Sequence, residues 1–191
     1  MTPLAETDVL RTDLAPFLAA RSAAVVGASD RGSTVKLVEN LRVEGATLVG
    51  VHPTRSEAAG MPCVPSLAQL GAVPDLVCVM LGPATAAAAV EDALAAGART
   101  FVIPGLGAEA QGPDGVAARA DVARLLADHG AACVGVNCMG MVVPGGMSPW
   151  IGTILAMRPG AIGTVVHSGS IGEALTAMGP RVGIRCCVSA G

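Results

Sequence analysis

The chain has 191 residues, 52% of them hydrophobic and 14% charged, with a net charge of -3; this balance predicts a large buried core and excludes disorder. Aromatic residues make up 2% (Phe17, Phe101 and Trp150, with no tyrosine), too few for a single-stranded nucleic-acid stacking platform, and the acidic balance disfavours a phosphate-backbone partner. No run of about 18 apolar residues is uninterrupted and Met1 to Glu6 carries no signal-peptide pattern, so a cytoplasmic protein with neither nucleic-acid nor membrane partners is expected.

In chain order, a lead-in helix over 15–21 precedes the strand Ala23-Ala24-Val25-Val26. That strand runs into Gly27-Ala28-Ser29-Asp30-Arg31-Gly32-Ser33 and then a helical segment over 34–44. A strand, a glycine turn and a helix start together present backbone N–H groups where phosphate oxygens bind without a charged side chain. Gly27 permits the sharp turn, Gly32 the approach of a ligand, and Ser33 is placed to cap the helix.

The second strand spans 47–51 and is followed by His52-Pro53-Thr54-Arg55. An NAD site places Asp or Glu there for the ribose hydroxyls. Here Pro53 stiffens the turn and Arg55 suits a phosphate, which disfavours NAD and leaves NADP open. A polar loop through Gly60-Met61-Pro62 follows, and Pro65-Ser66-Leu67 opens a short helix. The third strand covers 76–81, and Gly82-Pro83 opens an Ala-rich helix over 84–96, with proline in its first turn. The fourth strand, 100–103, ends at Pro104-Gly105-Leu106-Gly107; a helix over 116–129 leads to the fifth, 132–136.

Strands that are apolar throughout indicate a parallel sheet covered on both faces, hence a doubly wound α/β domain. Its ligand belongs over the carboxyl ends of the strands, at 27–33, 52–55, Gly82-Pro83 and 104–107. After Val136 the pattern changes. Asn137-Cys138-Met139-Gly140 reads as a turn and 143–160 as a Gly-, Pro- and Met-rich crossover. A second strand–turn–helix–strand then runs over 162–166, His167-Ser168-Gly169-Ser170, 171–178 and 184–188. The expected division is therefore a Rossmann-like domain at 1–145, a crossover at 146–160 and an incomplete second α/β unit at 161–191, since a lone β-α-β cannot bury both faces of its sheet.

The six cysteines, Cys63, Cys78, Cys133, Cys138, Cys186 and Cys187, form no CxxC pair, so no metal site is expected. Cys78, Cys133, Cys186 and Cys187 lie in apolar runs and read as small core residues. His129 ends an amphipathic helix, a structural position. His52 stands between ligand contact and loop. His167-Ser168-Gly169-Ser170-Ile171-Gly172 is not GxSxG, so a capping turn is preferred over a hydrolase nucleophile.

Several segments in fixed order carry a family likeness: Ala24-Val25-Val26-Gly27-Ala28-Ser29-Asp30, Val51-His52-Pro53, Pro65-Ser66-Leu67, Val136-Asn137-Cys138-Met139-Gly140, and Pro159-Gly160 with His167-Ser168-Gly169-Ser170-Ile171-Gly172. Over roughly residues 14–191 the chain resembles the CoA-binding N-terminal region of ADP-forming acyl-CoA synthetases and of the succinyl-CoA synthetase α-subunit. The resemblance implies a flavodoxin-like second domain. It also implies an acid–CoA ligase reaction that consumes a nucleoside triphosphate with Mg and passes through an acyl phosphate and a phosphohistidine. By motif, Ser29, Asp30 and Arg31 fall on the turn that holds CoA, and Arg55 falls where the family has a basic residue for the CoA phosphates. Pro104, Gly105 and Leu106 fall on the strand-four loop along CoA, and Asn137 and Cys138 near its thiol end. His52 replaces a common Asn, and Pro104-Gly105-Leu106-Gly107 replaces the usual loop pattern. The family's phosphorylated histidine lies in a loop beyond Gly191. This implies a chain that binds CoA or acyl-CoA without catalysing alone, completed by C-terminal ligase and nucleotide-grasp domains or a partner subunit. Homo-oligomerisation stays open. The rivals are a stand-alone CoA-responsive module and an NADP-dependent oxidoreductase fragment.

Overall fold

A computed structural model describes residues 13–106, 112–179 and 181–190. Gly107, the last residue of the strand-four loop motif, lies outside them. The first half is built from α1 (Ala15–Ala19), β1 (Ser22–Val26), α2 (Gly32–Leu41), β2 (Thr47–Val51), β3 (Glu57–Ala58) and β4 (Met61–Val64). Then come a 3₁₀ turn at Leu67–Gln69, β5 (Leu76–Val79), α3 (Pro83–Ala95), β6 (Thr100–Ile103), α4 (Pro113–Asp128) and β7 (Ala132–Gly135). The remainder is β8 (Gly140–Val142), β9 (Arg158–Val166), α5 (Gly169–Ala177) and β10 (Gly183–Ser189).

Seven strands form one sheet in the order β3-β4-β2-β1-β5-β6-β7. All neighbours are parallel except the β3–β4 hairpin at the edge. The order reverses between β1 and β5, the switch point at which doubly wound sheets open a crevice. Alternation of side chains explains why the strands are apolar on both faces. Val25, Cys78, Val102 and Val134 join Phe17, Leu37 and Leu41 in one cluster. Ala24, Val26, Val77, Val79, Phe101 and Ile103 join Ala86, Val90, Val122 and Leu126 in another. Each buried Val, Leu, Ile or Phe among them stabilises the fold by about 1.5–3 kcal/mol relative to exposure.

The expected Rossmann-like sheet is observed, and the departures are local. α2 begins two residues earlier than expected and stops at Leu41, where Arg42 turns extended and its guanidinium donates to Ala59 O (3.2 Å) and Gly60 O (2.8 Å). The loop through Gly60-Met61-Pro62 contains the β3–β4 hairpin, with Ala59 and Gly60 at positive φ in the turn. Two- and four-residue strands are too short to leave a period in the sequence.

Gly140, read as the end of a turn, instead opens a strand, β8, that runs to Val142. This strand pairs antiparallel with β10 in a second sheet ordered β8-β10-β9. Gly140 has φ 104°, and a Cβ there would lie 1.8 Å from Pro149 O, so only glycine fits. Met141 and Val188 of the second sheet pack in the same cluster as Leu37 and Leu41 of α2. A third cluster holds Val142, Trp150 and Cys187. The parallel β9–β10 pair with α5 between them is the expected second β-α-β unit, with β9 starting four residues earlier, at Arg158. Among the described residues no helix is long and apolar enough to cross a membrane.

Candidate functional site

A cleft of about 1220 Å³ lies over the carboxyl ends of the parallel strands and reaches the second unit. It exceeds the roughly 300–1,000 Å³ of ordinary small-molecule pockets. β1 ends on its floor. Gly27 N–H donates to Val51 O (3.0 Å) and Met80 N–H to Val26 O (2.8 Å), which ties the turn to both neighbouring strands. Gly27 has φ 79°, and a Cβ there would sit 2.6 Å from Leu81 Cδ2, so the turn requires glycine on two counts. At Gly32 nothing lies within 4 Å of a would-be Cβ; the space beside it is open.

The expected Ser33 cap is corrected. Helical dihedrals begin at Gly32, so the N-cap is Arg31, in extended conformation and without a side-chain cap bond, and Ser33 lies inside the first turn. Ser29 Oγ meets Thr34 Oγ1 at 3.0 Å instead. Among the described residues the N–H groups of Gly32, Ser33 and Thr34 therefore have no intramolecular acceptor. α5 repeats the arrangement: its N-cap Ser168 makes no side-chain cap bond, and His167, Gly169 and Ser170 line the same cleft. Two uncapped helix starts thus border one cavity, each carrying about half a positive charge.

Beyond β2, His52 Nδ1 accepts the N–H groups of Thr54 and Arg55, both at 3.2 Å. The imidazole therefore holds the turn while it also lines the cleft. Arg55 Nη1 donates to Asp30 Oδ2, and Asp30 Oδ1 accepts Ala59 N–H at 2.8 Å. Those two bonds, the Ala59 one foremost, hold the Asp30 carboxyl below its ordinary value.

Of the residues singled out from sequence, Gly27, Ser29, Arg31, Ser33, Pro53, Arg55, Pro104, Gly105, Asn137 and Cys138 line the cleft together. Asp30, Gly32, Pro83 and Leu106 do not. Leu106 is fully buried in the sheet's second cluster together with Val122 and Leu126 of α4, and Arg119 of that helix donates to its carbonyl at 3.5 Å. Gly105 has Leu81 O at 2.7 Å from its would-be Cβ, so the strand-four loop packs on the loop after β5. Asn137 takes φ 95°, a conformation that asparagine tolerates better than most residues. The Cys138 thiol is 7% exposed and bonded to Val134 O at 3.5 Å, and burial pushes it up to about 12. It lines the cleft as a neutral thiol.

Burial likewise raises Cys78 and lifts Cys133 to about 12. The core reading holds fully for Cys78 and Cys187, whereas Cys133 and Cys186 are half-buried. His129 sits at the α4 terminus with Nδ1 2.9 Å from Leu125 O, the structural position expected. Missed from sequence were Met139, Glu173 and Ser189, which face the cleft from the second unit. Their membership depends on how that unit folds back, and no local spacing reports it.

The chain matches the family described as "CoA binding domain" over residues 21–144. It is 28% identical over 121 residues to an ADP-forming acetate–CoA ligase of Archaeoglobus fulgidus, a match that covers 62% of this chain and 18% of the ligase. In fold it is similar to the dinucleotide-forming acetyl-coenzyme A synthetase 1 of Ca. Korarchaeum cryptofilum (TM-score 0.80, 22% identity, 94% of this chain and 40% of that one). It also resembles an ATP citrate lyase of Methanosaeta concilii solved with (3S)-citryl-CoA (TM-score 0.66, 15% identity, 91% and 31%). The chain spans less than half the length of each of these relatives. With its matched segment spanning all seven strands of the first sheet, the chain belongs to the CoA-binding domain family.

Proposed function

We propose that this chain binds CoA in the cleft and serves as the CoA-binding portion of an NDP-forming acid–CoA ligase. The observation that carries the reading is the convergence of the uncapped α2 and α5 helix starts on one cleft with Arg31 and Arg55. Backbone N–H groups, helix dipoles and guanidinium groups all favour phosphate. No Asp or Glu ends β2, which speaks against the ribose contacts of NAD. In this reading Ser29, Arg31, Ser33 and Arg55 hold the phosphates, Pro53, Pro104 and Gly105 flank the ligand, and Asn137 and Cys138 wall its thiol end. In the same reading strands β1–β7 belong to the CoA-binding domain, and the sheet β8-β10-β9 with α5 belongs to the opening of a flavodoxin-like ligase domain.

Thermal shift with CoA, acetyl-CoA, NAD and NADP tests the reading. At 100-fold excess over its dissociation constant a ligand adds about 2.7 kcal/mol of stability. CoA should shift Tm and NAD should not; equal shifts overturn the assignment.

The matched segment covers 18% of the Archaeoglobus fulgidus ligase. We therefore propose that the chain supplies CoA binding, and that acyl-phosphate formation and nucleotide hydrolysis belong to further ligase and nucleotide-grasp domains or to a partner subunit. Labelled ATP should leave the purified chain unlabelled, and acyl phosphate with CoA should yield no thioester. A phosphate on His167 found by mass spectrometry and abolished by His167→Asn would overturn this part.

A further inference from the structure

Arg55 is fixed at both ends. His52 Nδ1 accepts its backbone N–H at 3.2 Å, and the Asp30 carboxylate holds its Nη1. Asp30 is itself anchored by Ala59 N–H at 2.8 Å, so one carboxylate joins the glycine turn after β1, the loop after β2 and the β3–β4 hairpin. Arg55 lines the cleft and Asp30 does not. A guanidinium carries five N–H donors; Asp30 engages one nitrogen, and among the described residues the other donors of Arg55 have no partner.

We propose that Asp30 is a positioning residue for Arg55, and that through it the cleft discriminates ligands that carry a given phosphate from those that lack it. The inference rests on the CoA reading above. It departs from the motif-based expectation that Asp30 itself touches CoA. A carboxylate beside an anion site would ordinarily repel the ligand. Here its charge is matched by Arg55, and the pair stands 64% and 43% exposed, where water screens the Coulomb term. What remains is geometry. A long, flexible side chain is held with its free edge available for two-pronged phosphate binding.

Two effects of removing the carboxylate separate cleanly. Loss of a negative charge favours most the ligand with the most phosphate charge near it and so raises the affinity ratio, whereas loss of positioning weakens only the phosphate that Arg55 reads and lowers the ratio. The experiment is titration calorimetry of the full chain with CoA, dephospho-CoA and 4′-phosphopantetheine. Arg55→Ala first identifies which step in that series the guanidinium reads. Asp30→Asn should then lower the affinity ratio at the same step by at least about threefold, the scale of coupling between contacting residues. In the Arg55→Ala background it should not lower the ratio. Asp30→Ser, which also removes the carboxylate, serves if the Asn variant does not fold, with the same expectation. An unchanged ratio in the single variant, or an equal fall in both backgrounds, overturns the proposal. Failure of the wild-type chain to bind CoA at all overturns instead the reading on which it rests.

Discussion

At the scale of single residues, the carboxylate with the most bonds among the described residues lies outside the cleft. Asp75 Oδ2 accepts the N–H groups of Arg21 and Ser22 and the Ser22 hydroxyl, each at 2.9 Å, and its own N–H donates back to Ser22 Oγ at 2.9 Å. These bonds, led by the Arg21 N–H, hold its carboxyl below the ordinary value against a smaller opposing effect of burial. The folded value lies beneath the unfolded one. The stabilisation is therefore complete at neutral pH, fades as pH falls below the ordinary carboxylate range near about 4, and is gone beneath the folded value. Asp75→Ala should cost about 1 kcal/mol after allowance for solvent screening, a fall in Tm of about 3 °C. The loss should vanish when both proteins are melted in strong acid. A pH-independent difference would mean that packing, not the carboxylate, is responsible. Such a role was invisible in the sequence, because Asp75 and Ser22 are 53 positions apart and neither belongs to a motif.

At the scale of elements, the turn from β1 into α2 was legible and its cap was not. The apolar strand, Gly27 and the helical run fixed its position, since only glycine combines φ 79° with the closeness of Leu81. Gly27→Ala should destabilise the chain by about 1–3 kcal/mol through backbone strain alone, seen as a lower urea midpoint with an unchanged slope. An unaltered midpoint would show that the turn relaxes freely. The cap was misjudged because Ser33 has the right chemistry two residues too late; its neighbour Gly32 already has helical dihedrals and the cap position falls on Arg31. A capped helix would have satisfied its own first N–H groups. The uncapped one keeps them free on the cleft side. β3, β4 and β8 were missed for another reason: strands of two to four residues next to positive-φ glycines carry no periodicity, and their pairing is set by distant partners.

At the scale of the whole molecule, the two sheets differ in how well they are covered. β1, β5 and β6 are buried along almost their whole length, whereas β9 is exposed nearly throughout, with Ile162 at 50% and Val165 at 72%. Among the described residues β9 pairs with β10 alone. The second sheet is nonetheless tied to the first unit through Asn40 of α2, whose Nδ2 donates to Trp150 O at 2.7 Å and Gly152 O at 2.9 Å, while Asn40 O accepts Ser148 N–H at 3.1 Å. Trp150 is the single tryptophan, fully buried between Val142 and Cys187. Its emission reports the packing of the second sheet, and far-UV circular dichroism is dominated by the larger first unit. Elements with few buried contacts open first. Urea unfolding followed by tryptophan emission should therefore reach its midpoint before the dichroism signal, and amides of β9 should exchange faster than those of β1, β5 and β6. Asn40→Ala removes two bonds that cross from α2 to the 148–152 segment, worth about 0.5–1.5 kcal/mol each, and should widen the gap by lowering the emission midpoint alone. Coincident curves in both proteins would show that the two sheets form one cooperative unit and that Asn40 is not the joint between them.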